Sequence, residues 1–122
     1  MHELSLAGEV LLLVEEQAAR HGFTRVRVLR LEAGQLAGVD VAALRFALES
    51  VAGGTVLDGA HLEIDEPPGQ ATCLQCGASV TVSQRGEACS VCGDYRLQHT
   101  GGMALRVIDM DVSDDGATPG GP

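Results

Sequence analysis

Apolar residues recur at helical spacing along residues 4–21. Leu4, Ala7, Leu11, Val14 and Ala18 share one face, Val10 and Leu13 widen it, and Glu15, Glu16 and Arg20 fall towards the other side. The pattern predicts an amphipathic helix with Gly22 as its C-terminal cap. The period then changes. Thr24-Arg-Val-Arg-Val-Leu-Arg-Leu-Glu32 has β-branched residues in partial alternation and predicts a strand. Gly34 and Gly38 bracket a loop. Asp40 is placed to cap a second helix over 41–52, with Leu44, Ala47, Leu48 and Val51 facing inward and Gly53-Gly54 ending it. Residues 55–57 and 61–65 are expected to be short extended segments.

Glu66-Pro67-Pro68-Gly69 interrupts both helix and sheet and is the clearest boundary in the chain. All four cysteines follow, within residues 70–100. Residues 103–112 predict a further strand, with Ala104, Ile108, Met110 and Val112 on an apolar face that Arg106 interrupts. Residues 113–122 are acidic, then rich in Gly and Pro, and are expected to be disordered.

Composition narrows the function classes. The 122 residues suit one globular domain or two small ones. Aromatics are only 2%, so the core must be built from Leu, Val, Ala and Ile. The net charge is -9, with 17 acids, eight basic residues that are all arginine, and no lysine. That balance argues against binding nucleic acid through phosphates and against an anionic membrane surface. No apolar run approaches the roughly 18 residues of a membrane helix. Met1-His2-Glu3 lacks the basic start of a signal peptide, and the chain reads as cytoplasmic. In a reducing compartment four cysteines point to metal ligation rather than disulfides.

Cys73-Leu-Gln-Cys76-Gly and Cys89-Ser-Val-Cys92-Gly form C-x2-C-x12-C-x2-C. Each C-x2-C turns two sulfurs towards one point, and the glycine after it relaxes the backbone. Four thiolates make a closed tetrahedral site with no open position for a substrate. Zinc is the favoured ion, and it would supply stability that a core of about 30 residues lacks. Iron in a rubredoxin-like site competes, because softness and geometry do not separate the two metals. The scarcity of aromatics counts against iron. A zinc ribbon that binds protein or nucleic acid, with no further metal, is also compatible with the cysteines alone.

The N-terminus carries a second chelating set. His2 is too large for normal removal of Met1, so the α-amine, the His2 amide nitrogen and its imidazole can close successive rings around one ion. A nitrogen-rich set favours square-planar Ni(II) or Cu(II). Glu3 can add its backbone nitrogen or carboxylate. The ordinary reading is that His2 is solvated and that Glu3 is an acid favoured at a helix start.

Taken together, these features resemble the HypA/HybF family of hydrogenase nickel-incorporation proteins. The resemblance covers about residues 1–112. It rests on Met1-His2-Glu3-Leu4-Ser5-Leu6, on Leu31-Glu-Ala-Gly34-Gln-Leu36-Ala-Gly38-Val39, and on Gly54-Thr55 leading to Asp58-Gly59-Ala60. The two knuckles and Leu105-Arg-Val-Ile108 complete it. It implies an α+β fold: two helices on a three-stranded sheet as a nickel domain (1–66 with 102–112) and an inserted zinc-ribbon-like domain (67–101), with the tail (113–122) outside the resemblance. It implies Ni(II) as transferred cargo at Met1, His2 and Glu3, and structural Zn(II) at Cys73, Cys76, Cys89 and Cys92. It further implies a HypB-type GTPase and the [NiFe]-hydrogenase large subunit as partners, with urease maturation proteins in some relatives, and a monomer or homodimer. The loop between the knuckles is short, so a histidine that some relatives carry there has no counterpart.

His21, His61 and His99 read as surface residues, and Glu63, Asp65 and Glu66 as a solvated acidic face. No nucleophile–base pair or phosphate loop is visible, and an enzyme is not expected.

Overall fold

Glycine and aspartate set the helix ends in the computed structural model, which describes residues 2–114. Helix α1 spans Glu3–His21 and stops at Gly22, whose left-handed φ of 78° lets its N–H return to the Ala18 carbonyl. Strand β1 spans Arg25–Ala33. Helix α2 spans Val41–Ala52, and Asp40 caps it by accepting from the Ala43 N–H at 3.1 Å. Five strands follow: β2 (His61–Asp65), β3 (Gly69–Cys73), β4 (Ser79–Val82), β5 (Leu97–Gly101) and β6 (Leu105–Ser113). They form two sheets of order β2-β1-β6 and β4-β3-β5. The architecture is α+β, two helices with two small sheets.

The described residues divide into two units. One holds 2–31, 40–63 and 107–114, and the other 32–39 and 64–106. In the first, α1 packs against α2. Its interior comes from Ala7, Val10, Val14 and Ala18 of α1, Leu44, Ala47 and Leu48 of α2, Val26, Leu29 and Leu31 of β1, and Leu62 of β2. Each fully buried leucine contributes about 1.5–3 kcal/mol relative to exposure. Arg30 ties the sheet together on its polar side. Its guanidinium donates to Glu63 of β2 at 3.1 Å, and to Asp109 at 2.8 Å and Asp111 at 3.1 Å on β6.

In the second unit β3 pairs antiparallel with both β4 and β5. The β3–β4 register sets Ala71 opposite Val80 and Gly69 opposite Val82. A bulge between Gln70 and Ala71 interrupts the β5 pairing. Among the described residues no helix is long and apolar enough to cross a membrane.

Four expectations need correction. Leu4 and Leu13 are 61% and 43% exposed, because the buried line of α1 runs through Glu3, Ala7, Val10, Val14 and Ala18. Leu4 and Leu11 stand one residue, about 100°, round from that line. Residues 55–57 are not extended: the N–H groups of Thr55 and Asp58 bond to the Ala52 and Thr55 carbonyls at 3.0 Å each, giving consecutive turns. In β6, Ile108 and Val112 are 43% exposed while Leu105 and Val107 are half-buried, so of the apolar face expected in this strand only Met110 is half-buried. Strand β6 is a sheet edge, and none of its residues is fully buried. Ser113, assigned to the tail, belongs to β6, and its carbonyl accepts from the Thr24 N–H at 3.1 Å. Asp114 follows as an exposed bend, and the rest of the expected disorder, 115–122, lies outside the described residues.

Candidate metal centres

The two knuckles are built alike. Cys73 ends β3, and the chain then turns so that the N–H groups of Gln75 and Cys76 point at its sulfur, at 3.4 and 3.5 Å. Gly77, at φ 77°, closes the turn with its N–H on the Cys73 carbonyl at 2.9 Å. In the second knuckle the Val91 N–H meets the Cys89 sulfur at 3.4 Å, and Gly93, at φ 82°, returns to the Cys89 carbonyl at 2.8 Å. A side chain at either glycine would strain the left-handed backbone, which accounts for the C-x2-C-G pattern.

Folding brings the knuckles together. The four ligand sulfurs all lie within 4.8 Å of one another, the one such metal-ligating group among the described residues. Cys73 Sγ stands 3.7 Å from Cys92 Sγ, and Cys76 Sγ stands 3.8 Å from Cys89 Sγ. Sulfurs at about 2.3 Å from a tetrahedral zinc are about 3.8 Å apart, so the cluster has the dimensions of a four-thiolate site. A disulfide needs about 2.05 Å, and all four cysteines are free.

Thiol acidity gives the same account. N–H groups of Cys92 and Val91 bring Cys89 down to about 7. Cys92 receives an N–H from Asp94 that acts downwards, but burial and its three neighbouring thiols outweigh it and push it up to about 12. Cys76 is also raised: burial and its bonds with Cys89 and Cys73 outweigh the Ala78 backbone bond that acts downwards. Four sulfurs in one place do not all ionise unless a cation compensates them.

Arg96 braces the site, a role the sequence reading missed. It bonds to Gln75 in the first knuckle and to Asp94 beyond the second, the latter at 2.9 Å. Its guanidinium holds the Asp94 carboxyl down at about 2. Leu36 was missed too. It lies outside the cysteine segment, yet it is buried with Ala71, Cys73, Val80, Val82 and Cys89.

At the other candidate centre, Met1 lies outside the described residues. His2 is the N-cap of α1, with no side-chain cap bond and a 55% exposed side chain. Its carbonyl accepts the first helical bond, from the Leu6 N–H at 3.0 Å, so its own amide precedes the helical ladder. His2 Nδ1 stands 3.6 Å from Glu3 Oε2. Glu3 is the first residue of α1, where an acid is favoured, yet it is buried, and its Oε2 accepts from the Asp40 N–H at 3.0 Å. Asp40 thus serves twice, its side chain capping α2 and its N–H holding Glu3. None of the remaining histidines joins the cysteine cluster. His21 is exposed in the last turn of α1, His61 is 3.7 Å from Glu63, and His99 sits on β5 opposite Ala71.

Comparison with known proteins places these features in a family. Residues 1–112 match the family model described as hydrogenase/urease nickel incorporation, metallochaperone, HypA. Hydrogenase maturation factor HypA of Cupriavidus necator is 62% identical over 114 residues, covering 93% of this chain and 96% of that protein. The HypA of Polaromonas naphthalenivorans is 60% identical over 115 residues, covering 94% and 100%. The solution structure of the Ni metallochaperone HypA from Helicobacter pylori superposes with a TM-score of 0.69 at 20% identity, over 93% of this chain and 98% of that one, a likeness of fold. The chain therefore belongs to the HypA family of hydrogenase/urease nickel-incorporation metallochaperones.

Proposed function

We propose that this protein carries Ni(II) at its N-terminus, through Met1, His2 and Glu3, and delivers it to the large subunit of a [NiFe]-hydrogenase during maturation. The observation that carries the reading is the pairing of an exposed His2 imidazole with a Glu3 carboxylate anchored by the Asp40 N–H, in a chain of a nickel-incorporation family. Nickel bound by an α-amine, an amide nitrogen and an imidazole gains from planar, nitrogen-rich coordination. Ligands at the start of a chain can be exchanged one at a time with a recipient, which suits a carrier. A HypB-type GTPase is the proposed partner in transfer, with urease maturation proteins as further clients, and the cytoplasm is the proposed compartment. No catalytic step is assigned to the chain.

The four cysteines take the opposite role. Zinc is the ion proposed for Cys73, Cys76, Cys89 and Cys92, whose spacings fit it, and it would supply there the cross-link between knuckles that a short three-stranded sheet lacks. A closed four-thiolate site has no position for exchange.

Metal analysis of the untagged protein after exposure to nickel and desalting tests the reading. One nickel and one zinc per chain are expected. Zinc without nickel would favour a zinc-ribbon binding module, and a red protein holding iron would favour a rubredoxin-like site.

A further inference from the structure

The cysteine-bearing stretch does not build its core alone. Strands β3 and β4 supply Ala71, Val80 and Val82, with Ala78 and, from β5, Leu97 partly buried beside them. The one leucine buried in this cluster is Leu36, 5% exposed, from the loop between β1 and α2. It lies in the same core as the side chains of Cys73 and Cys89.

Backbone bonds stitch this loop in place. The Gly34 N–H donates to the Ala104 carbonyl at 3.1 Å, the Gln35 N–H to Pro67 at 2.9 Å and the Leu36 N–H to Gly102 at 2.8 Å. The Gln35 side chain adds a bond to the Glu66 carbonyl at 3.2 Å. The loop thus lies against both the segment that enters the cysteine unit and the segment that leaves it. Three glycines permit this approach. A Cβ on Gly34 would meet the Gly102 oxygen at 2.2 Å, one on Gly102 the Pro68 oxygen at 2.4 Å, and one on Gly69 the Leu36 Cδ1 at 2.4 Å. At such distances something must shift, and at Gly34 and Gly102 the obstacle is backbone.

We propose that Leu36 is a positioning residue for the four-thiolate site: packed in the core with Cys73 and Cys89, it holds both knuckles in register and slows release of the metal. The proposal rests on the zinc reading of the cysteines. It makes the loop between β1 and α2 a part of the zinc unit that no cysteine motif marks. Without Leu36, the core retains only alanine, valine and half-buried Leu97 around the buried thiols, and the cavity loosens the knuckles before any ligand is changed.

The test uses the full untagged chain and follows transfer of zinc to a chromophoric chelator, with metal content measured first. Wild type lacking zinc would overturn the zinc reading and this proposal with it. With zinc present, Leu36→Ala should release it at least about tenfold faster, as expected for a leucine-to-alanine cavity. Gly69→Ala should act in the same direction, because its new Cβ displaces Leu36 without removing an apolar group. Leu36→Met, which conserves volume, should stay close to wild type. Leu12→Ala, at an exposed position of α1, should change nothing. Amide exchange in Leu36→Ala should rise in β3 and β4 while α1 stays protected. Wild-type release rates in both Leu36→Ala and Gly69→Ala would overturn the proposal. Equal loss of protection in α1 and β3 would also overturn it, by making Leu36 a residue of general stability.

Discussion

The backbone N–H of Asp40 donates to the buried carboxylate of Glu3 at 3.0 Å, across 37 positions of sequence. This bond fixes the start of α1 to the start of α2 and leaves the Glu3 carboxylate beside His2. Glu3→Ala should therefore weaken nickel binding and also destabilise the fold, because the Asp40 N–H loses its acceptor. The bond is part-buried and its acceptor is charged, so its loss should cost about 1 kcal/mol. Glu3→Gln keeps an acceptor and should recover most of that stability without the charge. Chemical denaturation and nickel titration of the two variants separate the two effects.

Asp40 has a second role that its side chain alone performs. Asp40→Ala retains the N–H that holds Glu3 but removes the cap on Ala43. The expected loss is about 0.5–2 kcal/mol, seen as a lower denaturation midpoint with an unchanged m-value.

Zinc removal should act on one unit only. Cys73→Ser, or prolonged chelation, should abolish amide protection in β3, β4 and β5 while α1 and α2 keep theirs. Hydrogen exchange resolved by residue is the appropriate measurement. Persistent zinc content and protection in Cys73→Ser would contradict the structural role.

The Arg30 network gives a pH-dependent prediction. Hydrogen bonds from its guanidinium hold the Asp111 carboxyl below its usual 3.8. A carboxyl depressed in the folded state stabilises the protein above its unfolded pKa, and the benefit is lost as pH falls through the depressed value. The Tm of Arg30→Met should thus lie below that of wild type from pH 7 down to about 4. The gap should close under more acidic conditions. It should also shrink at high salt, because the partners are exposed.

Local chemistry was legible in the sequence, and long-range packing was not. The C-x2-C-G repeats, the Gly22 and Asp40 caps and both helices follow from spacing and side-chain chemistry within a few residues. Leu36 stands in a glycine-rich loop, and its burial depends on segments 30 and more residues away, so hydropathy alone marks it only as a loop residue. Glu3 looked like an ordinary first-turn acid because its partner is a backbone N–H of α2, which carries no side-chain signal. Strands β3, β4 and β5 are only 4–5 residues long, and two of them begin or end beside turns that the cysteines dominate. In β6 the apolar residues shift phase between Val107 and Met110, and an edge strand places no strong demand on either face. The N-terminal nickel set was a weak signal by itself, and gained weight only beside the paired knuckles.

The most direct test of nickel carriage is calorimetric titration of Ni(II) into three untagged proteins: wild type, His2→Ala, and a variant with one extra residue before Met1. The account predicts one tight site in wild type and none in either variant, with zinc content equal in all three. Equal nickel affinity in wild type and in both variants would contradict it.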